Sequence, residues 1–292
     1  MILNPALTKS SRKQTTFIKK VSLSGIGIHT GNVVDMTFCP AQEGTGIVFK
    51  RMDLPGQPVV PATIEYVQDT SRSTTIGIGN VRIHTIEHIM AALKAFQVDN
   101  ALIEVSAAEP PVGDGSSSPF VEMILKAGVK ELDATIPIIH IEQPVYWSHG
   151  KIHLVAIPSD EYRISYTLHY PATAALKTQY CTVEVNSENF VQEISPCRTF
   201  SLYHEVAYLM DKGLIKGGSL ENAVVIKDDV IFSKEGLKFP DEMVRHKVLD
   251  LIGDLALVGF PVMAHVIAIC SGHFSNVAFA KVLFNHITME NN

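Results

Sequence analysis

From Pro240 to Val258 the chain sets apolar and ionisable positions on opposite sides of one turn repeat. Val244, Val248, Leu251, Ile252, Leu255 and Val258 fall on one arc at about 100° per residue. His246, Asp250 and Asp254 stand four apart on the other arc. The pattern predicts a helix over residues 241–258, with one face for a core and an imidazole and two carboxylates on the other.

The same reading predicts the remaining elements. β-rich or alternating segments fall at residues 16–23, 33–39, 46–51, 59–63 and 73–78, with Gly25, Gly27 and Gly31 marking a turn. Residues 85–96 switch to a helical period, with Thr85 placed as N-cap. A strand at 101–105, a turn-rich loop at 110–119 and a helix at 120–127 closed by Gly128 follow. Thr135 to Pro137 reads as a linker. Beyond it come strands at 138–145, 151–157, 162–170 and 181–185. A helix-and-loop segment follows at 202–218 and a strand at 223–226. Then come the long helix, a strand at 262–269 and a last helix at 275–283. Strands, helix, strand, helix occurs twice, which predicts two α+β domains with a shared plan. The polar tail at 285–292 is expected to fray.

Composition narrows the class. Of 292 residues, 46% are hydrophobic and 18% charged, enough apolar material for real cores. The net charge of −6, with no basic stripe, argues against a nucleic-acid partner. No signal-like apolar region follows the first basic residues, and no run of about 18 apolar residues occurs. Cys39, Cys181, Cys197 and Cys270 are far apart and form no CxxC, so they read as reduced thiols. A cytoplasmic monomer is the expectation.

An imidazole and a carboxylate one turn apart can grip a divalent ion. His246 and Asp250 fit that role, and equally fit an ordinary pair on a helix surface. His88, at the start of another helix, is the candidate third ligand, with Glu87 beside it as a general base. Glu87 fits a plain first-turn acid as well. His273, in Ser271-Gly272-His273-Phe274-Ser275-Asn276, is a candidate general acid on a glycine-flanked loop, and Asp254 could keep it protonated. Thr199, in a Cys197-Arg198-Thr199-Phe200 segment following β structure, could donate to an oxyanion. Lys216-Gly217-Gly218-Ser219 is a weak phosphate-loop signal.

Seven segments occur together in order. They are Gly25-Ile26-Gly27-Ile28-His29-Thr30-Gly31, Thr85-Ile86-Glu87-His88, Asp114-Gly115-Ser116-Ser117 and Arg198-Thr199-Phe200. The others are Gly217 to Ala223, His246-Lys247-x-x-Asp250-x-x-Gly253-Asp254, and Ser271-Gly272-His273-x-x-Asn276. On these, the chain resembles the zinc-dependent UDP-3-O-acyl-N-acetylglucosamine deacetylases of lipid A biosynthesis, which act in lipopolysaccharide synthesis in Gram-negative bacteria.

The resemblance implies an α+β fold of two domains of similar topology. Helices would be sandwiched between two β-sheets, with the active site at the domain junction. The domains would be residues 1–134 and 138–292, the second carrying an acyl-chain insert at about 201–226. It implies that His88, His246 and Asp250 hold Zn2+, with iron(II) also suited to these ligands. Glu87 would be the base, and His273 the acid supported by Asp254. Thr199 would bind the oxyanion, and Lys247 the substrate's phosphates. Phe200, Leu202 and Gly217 would meet the sugar, nucleotide or acyl parts. The reaction would release acetate from an acylated UDP-sugar, the committed step of the route. The pair Phe274-Ser275 departs from the small or apolar pair expected there. Without the resemblance, another metal amidohydrolase and a non-enzymatic nucleotide-sugar binding protein remain open.

Overall fold

The computed structural model describes residues 3–288. Its strands are β1 (Thr8–Phe17), β2 (Val21–Ile26), β3 (Val33–Pro40), β4 (Ile47–Arg51), β5 (Val59–Pro61), β6 (Val67–Asp69), β7 (Thr75–Ile78) and β8 (Val81–Ile83). Helix α1 (Glu87–Ala95), β9 (Ala101–Val105) and α2 (Ser118–Ala127) complete the first half. The second half holds β10 (Val129–His140), β11 (Val145–His149), β12 (Ile152–Ile157), β13 (Tyr162–Tyr170) and β14 (Lys177–Glu184). A helical turn α3 (Ser187–Asn189), β15 (Phe200–Leu202), α4 (Tyr203–Asp211), β16 (Val224–Lys227) and β17 (Val230–Phe232) come next. Then α5 (Glu242–Ala256), β18 (Val262–Ile269) and α6 (His273–Ile287) close the fold.

The same topology is built twice. In a five-stranded sheet, β9 lies between antiparallel β3 and parallel β4, with β2 outside β3 and β5 outside β4. In a seven-stranded sheet, β18 lies between antiparallel β12 and parallel β13, with β11 outside β12 and β14 outside β13. Each half also carries a small three-stranded sheet, β6-β7-β8 in one and β15-β16-β17 in the other. The α+β fold and its repeated plan follow the expectation from the order of elements.

Helices α1, α2, α5 and α6 form the layer between the two large sheets. Helix α2 packs on β2, α5 on β13 and β14, α6 on β11 and β12, and α1 on α2 and α5. Nearly every residue of α1 and α5 is buried, the condition of a helix enclosed by protein on all sides. Val244, Val248, Leu249, Leu251 and Ile252 are fully buried, each worth about 1.5–3 kcal/mol when removed from water. That apolar gain offsets the cost of enclosing His246, Asp250 and Asp254 on the same helix. The helix therefore has no solvated face: its ionisable arc is 0–2% exposed. Close approach is set by Gly253, where an added Cβ would fall 2.0 Å from the Glu87 carbonyl oxygen.

Several expected boundaries move. The strand placed at 16–23 is two strands in different sheets, because β1 pairs with β10 rather than β2. The expected linker Thr135 to Pro137 lies inside β10, where Pro137 opposes Ser11 of β1. The strand expected at 138–145 is broken between His140 and Val145, around Pro144, which lacks an N–H for the ladder. The tail is tied down as far as Thr288: Ile287 is fully buried and Thr288 bridges to Leu3. Residues 289–292 of the expected frayed tail lie outside the described residues. No helix among the described residues is long and apolar enough to cross a membrane.

Candidate metal centre and active site

Residues from α1, α5 and α6 converge at one end of the helix layer. His88, His246 and Asp250 are buried, and one ligand atom from each lies within 4.8 Å of the others. Asp250 Oδ1 is 3.4 Å from His246 Nε2 and 3.7 Å from His88 Nε2. His246 Nδ1 is 3.0 Å from the Cys197 carbonyl. The carbonyl can only accept, so Nδ1 carries the proton and Nε2 presents its lone pair to the cluster. Burial pulls the His246 pKa down to about 4, outweighing the Asp250 carboxylate, so the ring is neutral. Burial opposes ionisation of Asp250, but Lys247, His246 and His273 hold its carboxyl well below the ordinary range.

The donor set fits a divalent ion. Asp250 Oδ1 is buried without a hydrogen-bond partner, although such an atom is costly to leave unmatched. Two imidazole nitrogens and a carboxylate oxygen suit a borderline-soft divalent cation.

Glu87 and His273 lie beside this cluster. Glu87 Oε2 accepts from the Thr74 amide at 3.0 Å, while Oε1 lies 3.9 Å from His273 Nε2. Burial raises the Glu87 pKa; the carboxylates of Asp254 and Asp250 add to that, and His273 and His88 oppose it. His273 Nδ1 donates to Asp254 Oδ2 at 2.9 Å. Burial lowers the His273 pKa, yet the carboxylates of Asp254, Glu87 and Asp250 prevail and lift it to about 9. Asp254 is itself fixed by the Thr74 hydroxyl at 2.5 Å and the Asn276 amide at 2.9 Å. Thr74 thus holds both the carboxylate beside the cluster and the partner of the imidazolium. Nothing in the local pattern of Ser71-Arg72-Ser73-Thr74 marks that role, since its partners are distant in sequence.

Two expected local settings differ. His273, expected on a loop at the start of the last helix, is itself the first residue of α6, because Ser275 and the Gly272 backbone close the first turn. Thr85 is not an N-cap. It holds φ +56, and its hydroxyl donates to Glu109 Oε1 at 2.9 Å. That left-handed backbone, costing roughly 1–3 kcal/mol, immediately precedes Ile86-Glu87-His88. Buried Glu109 also accepts the amides of His29 and Thr30 at 3.0 Å each. It ties the glycine-rich turn at 25–31 to the start of α1, a role the sequence pattern does not reveal. Ser117 braces the same helix by donating to the His88 carbonyl at 2.7 Å.

A cavity of about 610 Å3 opens over the cluster. Glu87, His88, Thr199, Phe200, His246, Lys247, Asp250 and His273 border it. Thr199 lies before β15, after the helical segment at 187–194 rather than after a strand. Lys247 Nζ donates to Asp250 Oδ2 at 2.8 Å and lies 5.5 Å from the Phe200 ring centroid. Within the expected acyl-chain insert at about 201–226, Val206, Leu209 and Ile215 border the cavity, whereas Leu202, Met210 and Leu214 do not. Gly218 borders it and Gly217 does not. Gly217 instead lies against the glycine-rich turn, where an added Cβ would fall 2.3 Å from the Gly27 carbonyl oxygen. Phe274, the departing residue, is exposed, borders the cavity and meets the Trp147 ring edge-on at 6.1 Å.

A family profile described as UDP-3-O-acyl N-acetylglycosamine deacetylase matches residues 14–285. The chain belongs to that family. Among curated relatives, the UDP-3-O-acyl-N-acetylglucosamine deacetylase of Chlamydia pneumoniae is 51% identical over 95% of this chain and 99% of its own. The enzyme of the same name from Chlamydia felis is 49% identical over 94% and 98%. That of Chlamydia trachomatis serovar L2 is 47% identical over 96% and 97%. Family membership makes the protein a metal-dependent enzyme, and the His88, His246 and Asp250 cluster is compatible with that.

Proposed function

We propose that this protein deacetylates UDP-3-O-acyl-N-acetylglucosamine in lipid A biosynthesis, as a cytoplasmic monomer using Zn2+. The observation that carries the reading is the buried cluster of His88, His246 and Asp250 with Glu87 and His273 beside it. It sits in a chain about half identical to such deacetylases along nearly its whole length. The two halves of the repeated plan, joined through β10, meet at the site: the first supplies Glu87 and His88, the second the rest.

His88, His246 and Asp250 would hold the divalent ion, which would supply the Lewis acidity that acidifies water and polarises a carbonyl. Glu87, with its pKa raised, takes the proton of the attacking water. The Thr199 hydroxyl donates to the oxyanion that forms on the amide carbon. His273, held protonated by Asp254, gives its Nε2 proton to the departing glucosamine nitrogen, and acetate is released. Lys247 exchanges its Asp250 contact for a substrate phosphate, and Phe200 packs on the sugar. Val206, Leu209 and Ile215 line the path of the acyl chain.

The test combines metal analysis of the purified protein with acetate release from the acylated nucleotide sugar, with and without a chelator. Near-stoichiometric zinc and chelator-sensitive release are expected. Metal-free protein with full activity, or zinc-loaded protein that leaves this substrate intact, would overturn the proposal.

A further inference from the structure

A second cavity, of about 370 Å3, opens at the other end of the same two helices. Lys94 of α1 and Ala256 of α5 border it, and it shares no lining residue with the first cavity. Lys94 lies two turns along α1 from Glu87, about 10 Å on. The walls are largely apolar, with Met90, Leu93, Ile138 and Val262 among them.

Three of the lining residues carry polar groups with incomplete partners. Lys94 Nζ donates to the Phe260 carbonyl at 2.7 Å and lies 5.6 Å from the Tyr162 ring centroid. Neither neighbour is an anion. Burial lowers the Lys94 pKa to about 8; Arg12 acts in the same sense and Asp99 against it. Asp99 is already engaged by Arg12 through two contacts of 2.6 and 2.8 Å. The hydroxyls of Tyr162 and Thr63, both on the cavity lining, are buried and have no hydrogen-bond partner. Buried hydroxyls in native proteins are usually matched, so two left open among the residues lining one cavity mark a place for an acceptor.

We propose that this cavity is a second binding site, for a compact apolar molecule bearing a single carboxylate. The carboxylate supplies the anion that Lys94 lacks and accepts from the Tyr162 and Thr63 hydroxyls, a charge-assisted arrangement. The apolar body replaces water against Met90, Leu93, Ile138 and Val262. Asp160, Glu161 and Glu184 also border the cavity, with Asp160 exposed. Their negative charge selects against a ligand with a second anionic group.

The site is separable from the metal centre by experiment. Met90 and Met263 line this cavity and no methionine lines the first. Titration of the full-length protein with cyclohexanecarboxylate, followed through methionine methyl NMR signals, is expected to shift Met90 and Met263 saturably. Cyclohexylmethanol, the uncharged analogue, is expected to bind at least about tenfold more weakly. Lys94→Leu is expected to weaken the carboxylate by a similar factor. Tyr162→Phe and Thr63→Val, which alter no charge, are each expected to weaken it several-fold, with retained deacetylation confirming the fold. Absence of a saturable shift at the two methyls overturns the proposal. So does equal binding of the alcohol, or affinity unchanged in both hydroxyl variants.

Discussion

Glu87 and His273 both have raised pKa values, for different reasons: burial leads for Glu87, while for His273 the carboxylates of Asp254, Glu87 and Asp250 overcome burial. Glu87→Gln keeps the side-chain volume and removes the proposed base. Acetate release is expected to fall by about 10²–10⁴-fold with zinc content unchanged; full activity in a zinc-loaded variant would remove Glu87 from the mechanism. Asp254 is the leading charge holding His273 protonated against burial. Activity that needs the imidazolium is lost as pH rises through the His273 pKa. Asp254→Asn removes that support, so the alkaline limb of kcat/KM is expected to move to lower pH. An unmoved limb would assign it to another group.

A second carboxylate tests the frame rather than the chemistry. Burial works against ionised Glu242, but two hydrogen bonds from the Arg198 side chain and the amides of Arg198 and Lys238 hold its pKa below the ordinary value. A depressed carboxyl contributes stability that is present above its unfolded pKa, about 4.3, and lost as pH falls through the folded pKa. Glu242→Gln is expected to cost about 3–5 kcal/mol near neutrality, because Arg198 is left buried and unpaired. Denaturant unfolding at a series of pH values should show the gap to the parent protein narrowing below about pH 4. A constant gap would contradict the pairing.

Among the elements, α1 and α5 carry the site, and their separation is set by one residue. At Gly253 even a methyl group would overlap the Glu87 backbone, with contacts of 2.0 Å to oxygen and 2.7 Å to the carbonyl carbon. Gly253→Ala gains helix propensity of about 1 kcal/mol, but it must push apart two helices buried on all sides. Overpacking costs typically about 1–3 kcal/mol, so net loss of stability is expected, together with loss of zinc affinity as Asp250 and His88 separate. A thermal midpoint above the parent's would show that the helices yield freely. The length and apolar arc of α5 were legible from its period. Its burial on every side was not, because a polar arc looks the same whether it faces water or another helix.

At the scale of the molecule, the proposed metal ligands come from both halves of a repeated fold. An ion bound only by the folded chain stabilises it by mass action. Removing the ion with a chelator is expected to lower the thermal midpoint by several degrees, and adding zinc back to restore it. No change on removal would argue that the cluster is held by the core alone. The repeated plan was visible in the order of elements, while β1 pairing with β10 was not. Thr8–Phe17 faces Val129–His140 across more than a hundred residues of chain, and strand partners are chosen by tertiary packing rather than by local pattern.

The sequence by itself determined the periods of the long helix and most strands, the α+β class, and the residues able to hold a metal. These are local properties, governed by backbone geometry and side-chain chemistry over a few turns. Only the tertiary structure decided which of them meet. It placed His88 against Asp250, joined Asp254 to His273, and brought in Thr74 and Glu109, whose partners lie far along the chain. It also turned an arc of charged residues inward: packing closed both faces of α5, and enclosed charges persist only where other groups match them.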